Sequence, residues 1–594
     1  MRKLLLSLAA LLMVVLLCAC GGAESDRSVS VVIEEGPGFT VDNNPQRVAP
    51  GEDAVFLLKL GRDAVLLSAD YRGEYEITER DGVTELRLVE PRFPTRVRLQ
   101  LAAKSGQIRY EANGGAAPDG GTAFTKSVSL SAHRRANTAL GADVFSRAGH
   151  TLTGWNTLPD GSGQRIGLGS RVSLPEGELV LYAQWAPWTE PTLFAYEIRD
   201  GAATLTGYRG VETALVIPAE IDGLPVRRIA AGAFRDCAAD TVILPPGLYE
   251  IEPGAFSGSS MTELTLFDDL AVFSDASFDD CGDLRTLHIN AREAPFGYVY
   301  RKESCYADKV DLLILAQGRK KLVFYGGCSA WYNLDGRRID QALGGAYTVA
   351  NLGLNGTVSS AVQLQILQAF LEPGDILFHT PELSSRCQLM LETDMGDNDG
   401  YLWCGLENNY DLFALVDLRT VGGVFDSFCA YLAQKDSQTN YDQFFSDDYR
   451  TPYMDEYGCV PLYRSMPEQT LADIVDIEPA LLTEESLQTL GDYYKALRDR
   501  GVRVYVSCAC LNWDALPEAQ RGHISDIGDI FNQAVEATGA AVPVSDLEDY
   551  VYHAGDFYDT NYHLLSGPAG ENTEKWLRDL TVQMVRDGLW EDMP

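Results

Sequence analysis

KLVFYGGCSA, residues 321–330, is a short run of strand-forming side chains that ends on two glycines, a cysteine and a serine. Further strand candidates lie around it at YTVANLG (347–353), DILFHTP (375–381) and VRVYVSC (502–508). Between them stand two helical candidates, the amphipathic SAVQLQILQAFL (360–371) and SLQTLGDYYKALRDRG (486–501), which closes on a glycine. Strands alternating with helices predict a mostly parallel sheet in a three-layer α/β domain, here spanning 298–594. In such sheets ligands sit outside the carboxyl ends of the strands. The residues just past each strand are therefore the candidates for chemistry. They are Gly326-Gly327-Cys328-Ser329-Ala330, then Asn351-Leu352-Gly353-Leu354-Asn355-Gly356, then His379 and Glu382. FYDTNYHL (557–564) stands near the end of the chain, with Gly567 after it.

This order of motifs resembles the SGNH (GDSL-like) hydrolases and acyltransferases over about residues 318–590. It is most similar to the branch that includes surface-polysaccharide O-acetyltransferases and related lipoproteins. The resemblance implies an SGNH/flavodoxin-like fold and an ester hydrolase or acyltransferase site. It places the nucleophile at Cys328, the general base at His563 and the carboxylate orienting that base at Asp559. Gly353 and Asn355 are implied for the oxyanion hole, with Glu382 the other candidate for the Asn355 role. A weak nucleophile needs an adjacent base, and the base needs a partner that fixes its tautomer. The chain departs from the family in three places. Cys328 stands where the family has serine, the late motif is Asp-x-x-x-His, and no GxND follows the third strand. Ser329 is the alternative nucleophile if the register is one residue later. His379 and His553 have no such context and are expected to be ordinary core or surface residues.

Upstream, Ala233-Phe234, Ala255-Phe256 and Ser277-Phe278 recur every 22 residues, each leading into a short strand (TVILP, ELTLF, TLHIN). A period of this length with one strand per unit predicts a solenoid in which each unit buries its face on the next. The pattern resembles the BspA-type leucine-rich repeat of bacterial surface proteins, over 188–297. Three or four units are few for independent stability, so the solenoid is expected to lean on a neighbour. Cys237 and Cys281 hold the same repeat phase on separate rungs, which argues against a disulfide between them.

From 28 to 103, short alternating runs such as SVSVVIEE, AVFLLKL and TELRLVE predict an antiparallel, sandwich-like β-module. Between 104 and 187 stand IRYEANGG (108–115), FSRAGHTLTGWNT (145–157), DGSG (160–163) and LVLYAQW (179–185). These resemble the internalin-type B repeat, a β-grasp-like module of bacterial surface proteins, with His150 where the family has Tyr. Trp155 and Trp185 are expected to be core side chains. The resemblance implies surface display.

The chain opens with Arg2 and Lys3, runs apolar from Leu4 to Leu17, and continues Cys18-Ala19-Cys20-Gly21. A charged start followed by a short apolar run is a signal peptide. Its end resembles the bacterial lipoprotein signal, which implies cleavage before Cys20, lipidation of Cys20 and an outward-facing membrane anchor. On that reading 1–20 is the signal and 21–27 a tether. An ordinary secretory signal is the alternative.

Charge and cysteines narrow the function. Forty-eight basic against 85 acidic side chains leave −37, which repels phosphate backbones, so nucleic-acid partners are not expected. No CxxC pair supplies zinc spacing, and neither metal nor cofactor is expected. ETDMGDNDG (392–400) lacks the ligands of a calcium loop and is expected to be a solvated acidic loop. Cys508 and Cys510 are expected to alternate on one strand as buried small side chains. Two functions follow. One is a surface lipoprotein with an esterase or O-acyltransferase domain acting on acylated glycans. The other is a non-catalytic adhesion protein that binds cell-wall or host glycans or surface proteins on a degenerate SGNH scaffold.

Overall fold

The computed structural model describes residues 28–590 apart from several stretches, the longest being 130–134, 138–143, 292–305, 384–393, 437–456 and 461–483. Cys20, Asn355 and Asp559 lie outside the described residues. The chain divides into two compact units, Met1–Lys104 and Ser105–Pro594. Among the described residues no helix is long and apolar enough to cross a membrane.

The first unit is all β. A four-stranded antiparallel sheet is built from Phe39–Val41, Ala54–Leu60, Val83–Leu88 and Tyr75–Arg80. A second sheet centres on Val29–Ile33, flanked by Gln46–Val48 and Thr95–Val97. The alternation seen in the sequence is the alternation of burial. Val31, Ile33, Phe56, Leu58, Leu86 and Leu88 are buried in one core, while the residues between them are more exposed.

The second unit begins with a five-stranded sheet in which Ser105–Glu111 runs parallel to Glu178–Pro187 and His150–Asn156 runs antiparallel to it. Trp155 is fully buried and meets Tyr110 edge-on at 5.0 Å. Trp185 is only half-buried. Its indole N–H donates to the Ala112 carbonyl at 2.9 Å, and a Cβ on Gly115 would stand 2.5 Å from the ring, so glycine is required there. Trp185 thus locks a turn.

The solenoid follows as a parallel sheet of β1 (Ala214–Val216), β2 (Thr241–Ile243), β3 (Glu263–Phe267) and β4 (Thr286–Asn290). The repeated phenylalanines stack rung on rung: Phe234 on Phe256 at 4.9 Å and Phe256 on Phe278 at 5.4 Å. Cys237 and Cys281 are buried free thiols on separate rungs.

The α/β region contains α1 (Tyr306–Leu315), β5 (Lys321–Gly326), α2 (Cys328–Asn333), β6 (Thr348–Asn351), α3 (Ser360–Phe370) and β7 (Ile376–Thr380). It continues through α4 (Val424–Asp436), α5 (Glu484–Asp499), β8 (Arg503–Val506), α6 (Ile524–Ala537), β9 (Val542–Pro543) and α7 (Ser566–Arg586). The five strands are parallel and ordered β6-β5-β7-β8-β9. Every residue of β5 and β7 is buried, because helices cover both faces. The chain order reverses beside β5, and the first-strand motif therefore opens at a switch point of the sheet.

The solenoid does lean on this region. Phe278 stacks at 4.2 Å on Phe425 of α4, and the Phe425 amide donates to Asp275 at 2.9 Å. Arg171, on a strand (Arg171–Ser173) that pairs antiparallel with Arg135–Asn137 beside that first sheet, pairs with Asp308 of α1, and at 2.7 Å with Asp311. Arg171 and Asp311 are buried, while Asp308 keeps about a third of its side chain exposed at the rim (31%).

Two sequence expectations fail. Cys508 and Cys510 are buried as expected, but β8 ends at Val506, so they lie beyond the strand and enter different hydrophobic clusters. The loop near 399 is not simply solvated. Asp399 is buried, and its carboxylate accepts the amides of Ser359 and Gly396, each at 2.8 Å. The acidic residue serves the local backbone, as Asp commonly does in turns.

Candidate functional site

Two glycines shape the end of β5. A Cβ on Gly326 would stand 2.5 Å from the Thr380 carbonyl oxygen, and one on Gly327 would stand 2.5 Å from the Glu382 carboxyl carbon. Neither has a left-handed φ; both are required by close approach. The first turn of α2 then presents Cys328 half-buried and Ser329 fully buried. The Ser329 amide donates to Glu382 Oε1 at 2.7 Å, and its hydroxyl donates to the same oxygen. Of the two nucleophile candidates, only Cys328 has exposed surface; the Ser329 hydroxyl is held in the interior by a buried carboxylate.

His563 reaches the same helix from the far end of the chain. Its ring lies flat on Tyr332 at 3.6 Å, with 6° between the planes. Cys328 packs against the Trp331–Tyr332 pair, one helical turn before Tyr332. The next residue, Asn333, grips the backbone on both sides of His563. Its Nδ2 donates to the Tyr562 carbonyl at 2.7 Å, and its Oδ1 accepts the Leu564 amide at 2.8 Å. The Tyr558 amide closes the loop on the His563 carbonyl at 2.8 Å. The Cys328–His563 pair thus has the Trp331–Tyr332 cluster as a common neighbour. Asp559, its expected third member, lies outside the described residues.

The loop after β6 is set from beneath. Gly353 N–H donates to Asn351 Oδ1 at 2.8 Å, so the expected oxyanion donor is engaged inside its own turn. To receive an acyl oxygen that amide has to leave Asn351. Asn351 Nδ2 donates to the Ala330 carbonyl at 2.8 Å, tying the loop to α2. The fully buried Lys309 of α1 donates from Nζ to the carbonyls of Gly353 at 2.6 Å, Gly458 at 2.9 Å and Asn351 at 3.2 Å. Its ammonium also stands 4.6 Å over the Trp331 ring. Asn355, the other expected oxyanion residue, lies outside the described residues.

Other titratable groups stand apart from this chemistry. His379 is buried on β7, with Nδ1 2.5 Å from the Tyr494 hydroxyl, and burial pushes its pKa down to about 3. It is neutral at physiological pH. His553 is exposed and pairs with Asp514 at 3.2 Å. Burial pushes the Cys508 thiol up to about 12, which makes it inert. Among the described residues no cluster of His, Cys, Asp and Glu is arranged to hold a metal ion.

Sequence reasoning missed Lys309, Tyr332 and Asn333, and gave Asn351 only as part of the segment after the second strand, without its role. Only Asn351 carried a signal, an Asn two residues before a glycine at a strand end, which is an Asx-turn pattern.

Comparison with known proteins bears on part of the chain. Residues 217–299 match the BspA type leucine rich repeat region, in six copies. No curated protein matches the sequence. Among solved structures, the T. pallidum leucine rich repeat protein (TpLRR) is 21% identical, covers 34% of this chain and 79% of its own, and has a TM-score of 0.16. A Streptococcus pneumonia protein described as a platelet activating factor is 12% identical, covers 47% of this chain and 94% of its own, and has a TM-score of 0.23. The chain is thus a multidomain protein with a strand-rich N-terminal part, a leucine-rich repeat region similar to the BspA type, and a C-terminal α/β region.

Proposed function

We propose that the protein is a surface lipoprotein, anchored through Cys20, that binds a protein or glycan partner through its repeat modules. Beside them it presents an SGNH-like thiol esterase or O-acyltransferase site. The observation that carries the catalytic part is the convergence of Cys328 and His563 on the Trp331–Tyr332 cluster. In this reading His563 takes the thiol proton as Cys328 Sγ attacks the acyl carbonyl. The alcohol leaves with that proton, and water or an acceptor hydroxyl then cleaves the thioester. Acylated glycans suit a site displayed outside the cell. The internalin-like first sheet and the BspA-type repeats supply the contact surfaces.

The second reading, a binding protein on a silent scaffold, is favoured by the Gly353 and Ser329 amides. Both are occupied by side-chain oxygens of the chain itself. Hydrolysis of p-nitrophenyl acetate by the full chain, with intact-mass detection of an acyl adduct, separates the two. Turnover lost in Cys328→Ala and His563→Ala but kept in Ser329→Ala establishes the esterase. No turnover and no adduct in any chain leaves the binding protein. Labelling with a radioactive fatty acid, lost in Cys20→Ala, tests the anchor.

A further inference from the structure

Glu90-Pro91-Arg92-Phe93-Pro94 is the loop that leads into the strand Thr95–Val97 of the first unit. Phe93 is 76% exposed, the most exposed aromatic side chain among the described residues, and the Arg92 side chain next to it is 81% exposed. The loop is stiff. Two prolines fix its backbone. The Glu90 amide donates to Asp53 Oδ1 at 3.1 Å, and Thr95 Oγ1 donates to the Phe93 carbonyl at 2.7 Å. At its root the Val89 amide donates to the Glu74 carbonyl at 2.9 Å, and the Tyr71 hydroxyl donates to the Val89 carbonyl at 3.3 Å. A loop fixed in this way loses little freedom when its tip is buried by a partner.

The register of the sheet fixes where this tip lies. Val29–Ile33 and Thr95–Val97 run parallel with Val31 opposite Thr95, so Phe93 stands level with Val29, at the end of the sheet where the chain enters. The antiparallel partner, Gln46–Val48, pairs Val48 with Val29 and brings the exposed Pro50, Gly51 and Glu52 to the same end. From Cys20 to Ser28 the chain reaches at most about 28 Å. We propose that Arg92 and Phe93 form a second, non-covalent foothold on the membrane that holds the Cys20 lipid. The ring enters the boundary between headgroups and acyl chains, and the guanidinium meets lipid phosphates. The inference deepens the reading above and rests on the anchor at Cys20. Acids at this end are partly offset: Arg87 pairs with Asp53 at 3.6 Å, and Arg92 stands 3.9 Å from Glu90. An exposed pair of that length holds Arg92 weakly, which leaves it free to turn to a phosphate. One ring binds a bilayer weakly alone, but a tether this short keeps it at high effective concentration. The module then stands end-on at the membrane.

Brominated acyl chains quench an indole lying among them, which supplies the test. The chain from Gly21 to Pro594 carries an N-terminal hexahistidine tag in place of the lipid. It is held on vesicles of phosphatidylethanolamine and phosphatidylglycerol containing a nickel-chelating lipid, with and without bromine on the acyl chains. Phe93→Trp adds its emission to that of the eight native tryptophans, and the unaltered chain gives the background. The added emission is expected to fall by about half on the brominated vesicles. Leu57, 44% exposed, lies midway along the strand Ala54–Leu60 of the same unit. The added emission of Leu57→Trp is expected to change by less than about a tenth, because that position is held away from the end of the sheet. Both sites are exposed, so neither substitution disturbs the core. No added quenching in Phe93→Trp overturns the proposal. So does equal quenching in Leu57→Trp, which would lay the module on its side. Emission from Phe93→Trp that shifts to the blue with protein concentration, without vesicles, gives the loop to a second copy of the chain and also overturns it. The tag supplies the tether, so the result does not depend on lipidation. Quenching without fatty-acid labelling at Cys20 upholds the foothold and removes the anchor. Labelling without quenching does the reverse.

Discussion

In the solenoid, Phe234, Phe256 and Phe278 are 22 residues apart along the chain and stack at 4.9 and 5.4 Å. Above the α/β sheet, Asn333 and Leu564 are 231 residues apart and joined at 2.8 Å. The first arrangement repeats one local rule, so each rung predicts the next. The second arises once, from segments whose meeting depends on the whole topology. A repeating structure spreads its stability over equivalent contacts, whereas a site concentrates its geometry in a few singular ones.

The largest test of that contrast is at the centre of the stack. Phe256→Ala removes a fully buried ring between two others and is expected to cost about 3–5 kcal/mol in chemical denaturation. If the solenoid behaves as one body with the α/β region through Phe425, both lose stability in a single transition. Two separated transitions would break the picture of a solenoid capped by α4.

Slightly smaller is the effect at the Arg171 charge cluster. Arg171→Met leaves Asp311 buried without its cation and is expected to cost about 3 kcal/mol. The loss should shrink when Asp311→Asn is added; an unchanged loss in the double variant would mean that the Arg171 stem, not its charge, holds the seam.

These two effects separate what was legible from what was not. The phenylalanine period, four of the five strands of the sheet and the helices α3 and α5 could be read because each is a local pattern; the two-residue β9 and the helices α6 and α7 were not read. Cys328 was singled out as the residue after a strand, and His563 as part of a specific string; their roles remain the proposal above. Lys309, Tyr332 and Asn333 were not found, because nothing local distinguishes a lysine in an amphipathic helix that turns inward to backbone carbonyls. Cys508 was misplaced for a related reason: an apolar run continues past the point where β8 stops hydrogen-bonding. Ser329 and Glu382 were weighed as separate candidates, and only their bond shows them to be partners.

His379 offers a test of intermediate size on the α/β side. Its folded pKa is depressed to about 3, so below pH 6.5 the unfolded chain binds a proton that the folded chain refuses. Its contribution to stability is therefore complete above pH 6.5 and lost as pH falls toward 3, by about 1.4 kcal/mol per unit. His379→Phe should flatten that slope in urea titrations between pH 6 and pH 4. An unchanged slope would locate the acid sensitivity elsewhere.

The smallest expected effect lies at the edge of the seam. Arg419 and Asp417 pair near the point where the Leu418 amide donates to the Arg285 carbonyl of the repeat region. Both side chains are substantially exposed. Arg419→Ala should change stability by less than about 0.5 kcal/mol, since exposed pairs contribute little. A larger loss would show the rim, not the stacked rings, to be what fastens the solenoid.

The short helix α1 carries Asp308 and Asp311, which grip Arg171 of the upstream sheet, and between them Lys309, which grips the loop of Gly353. Three neighbouring side chains thus serve two modules at once. Such a helix limits the exchange of parts during evolution. A lineage that swapped the upstream sheet for another would inherit a buried acid, Asp311, without its cation, and the strain would arrive at the loop beside Cys328. The modules of this chain are therefore expected to have diverged together, as one inherited set rather than as interchangeable beads.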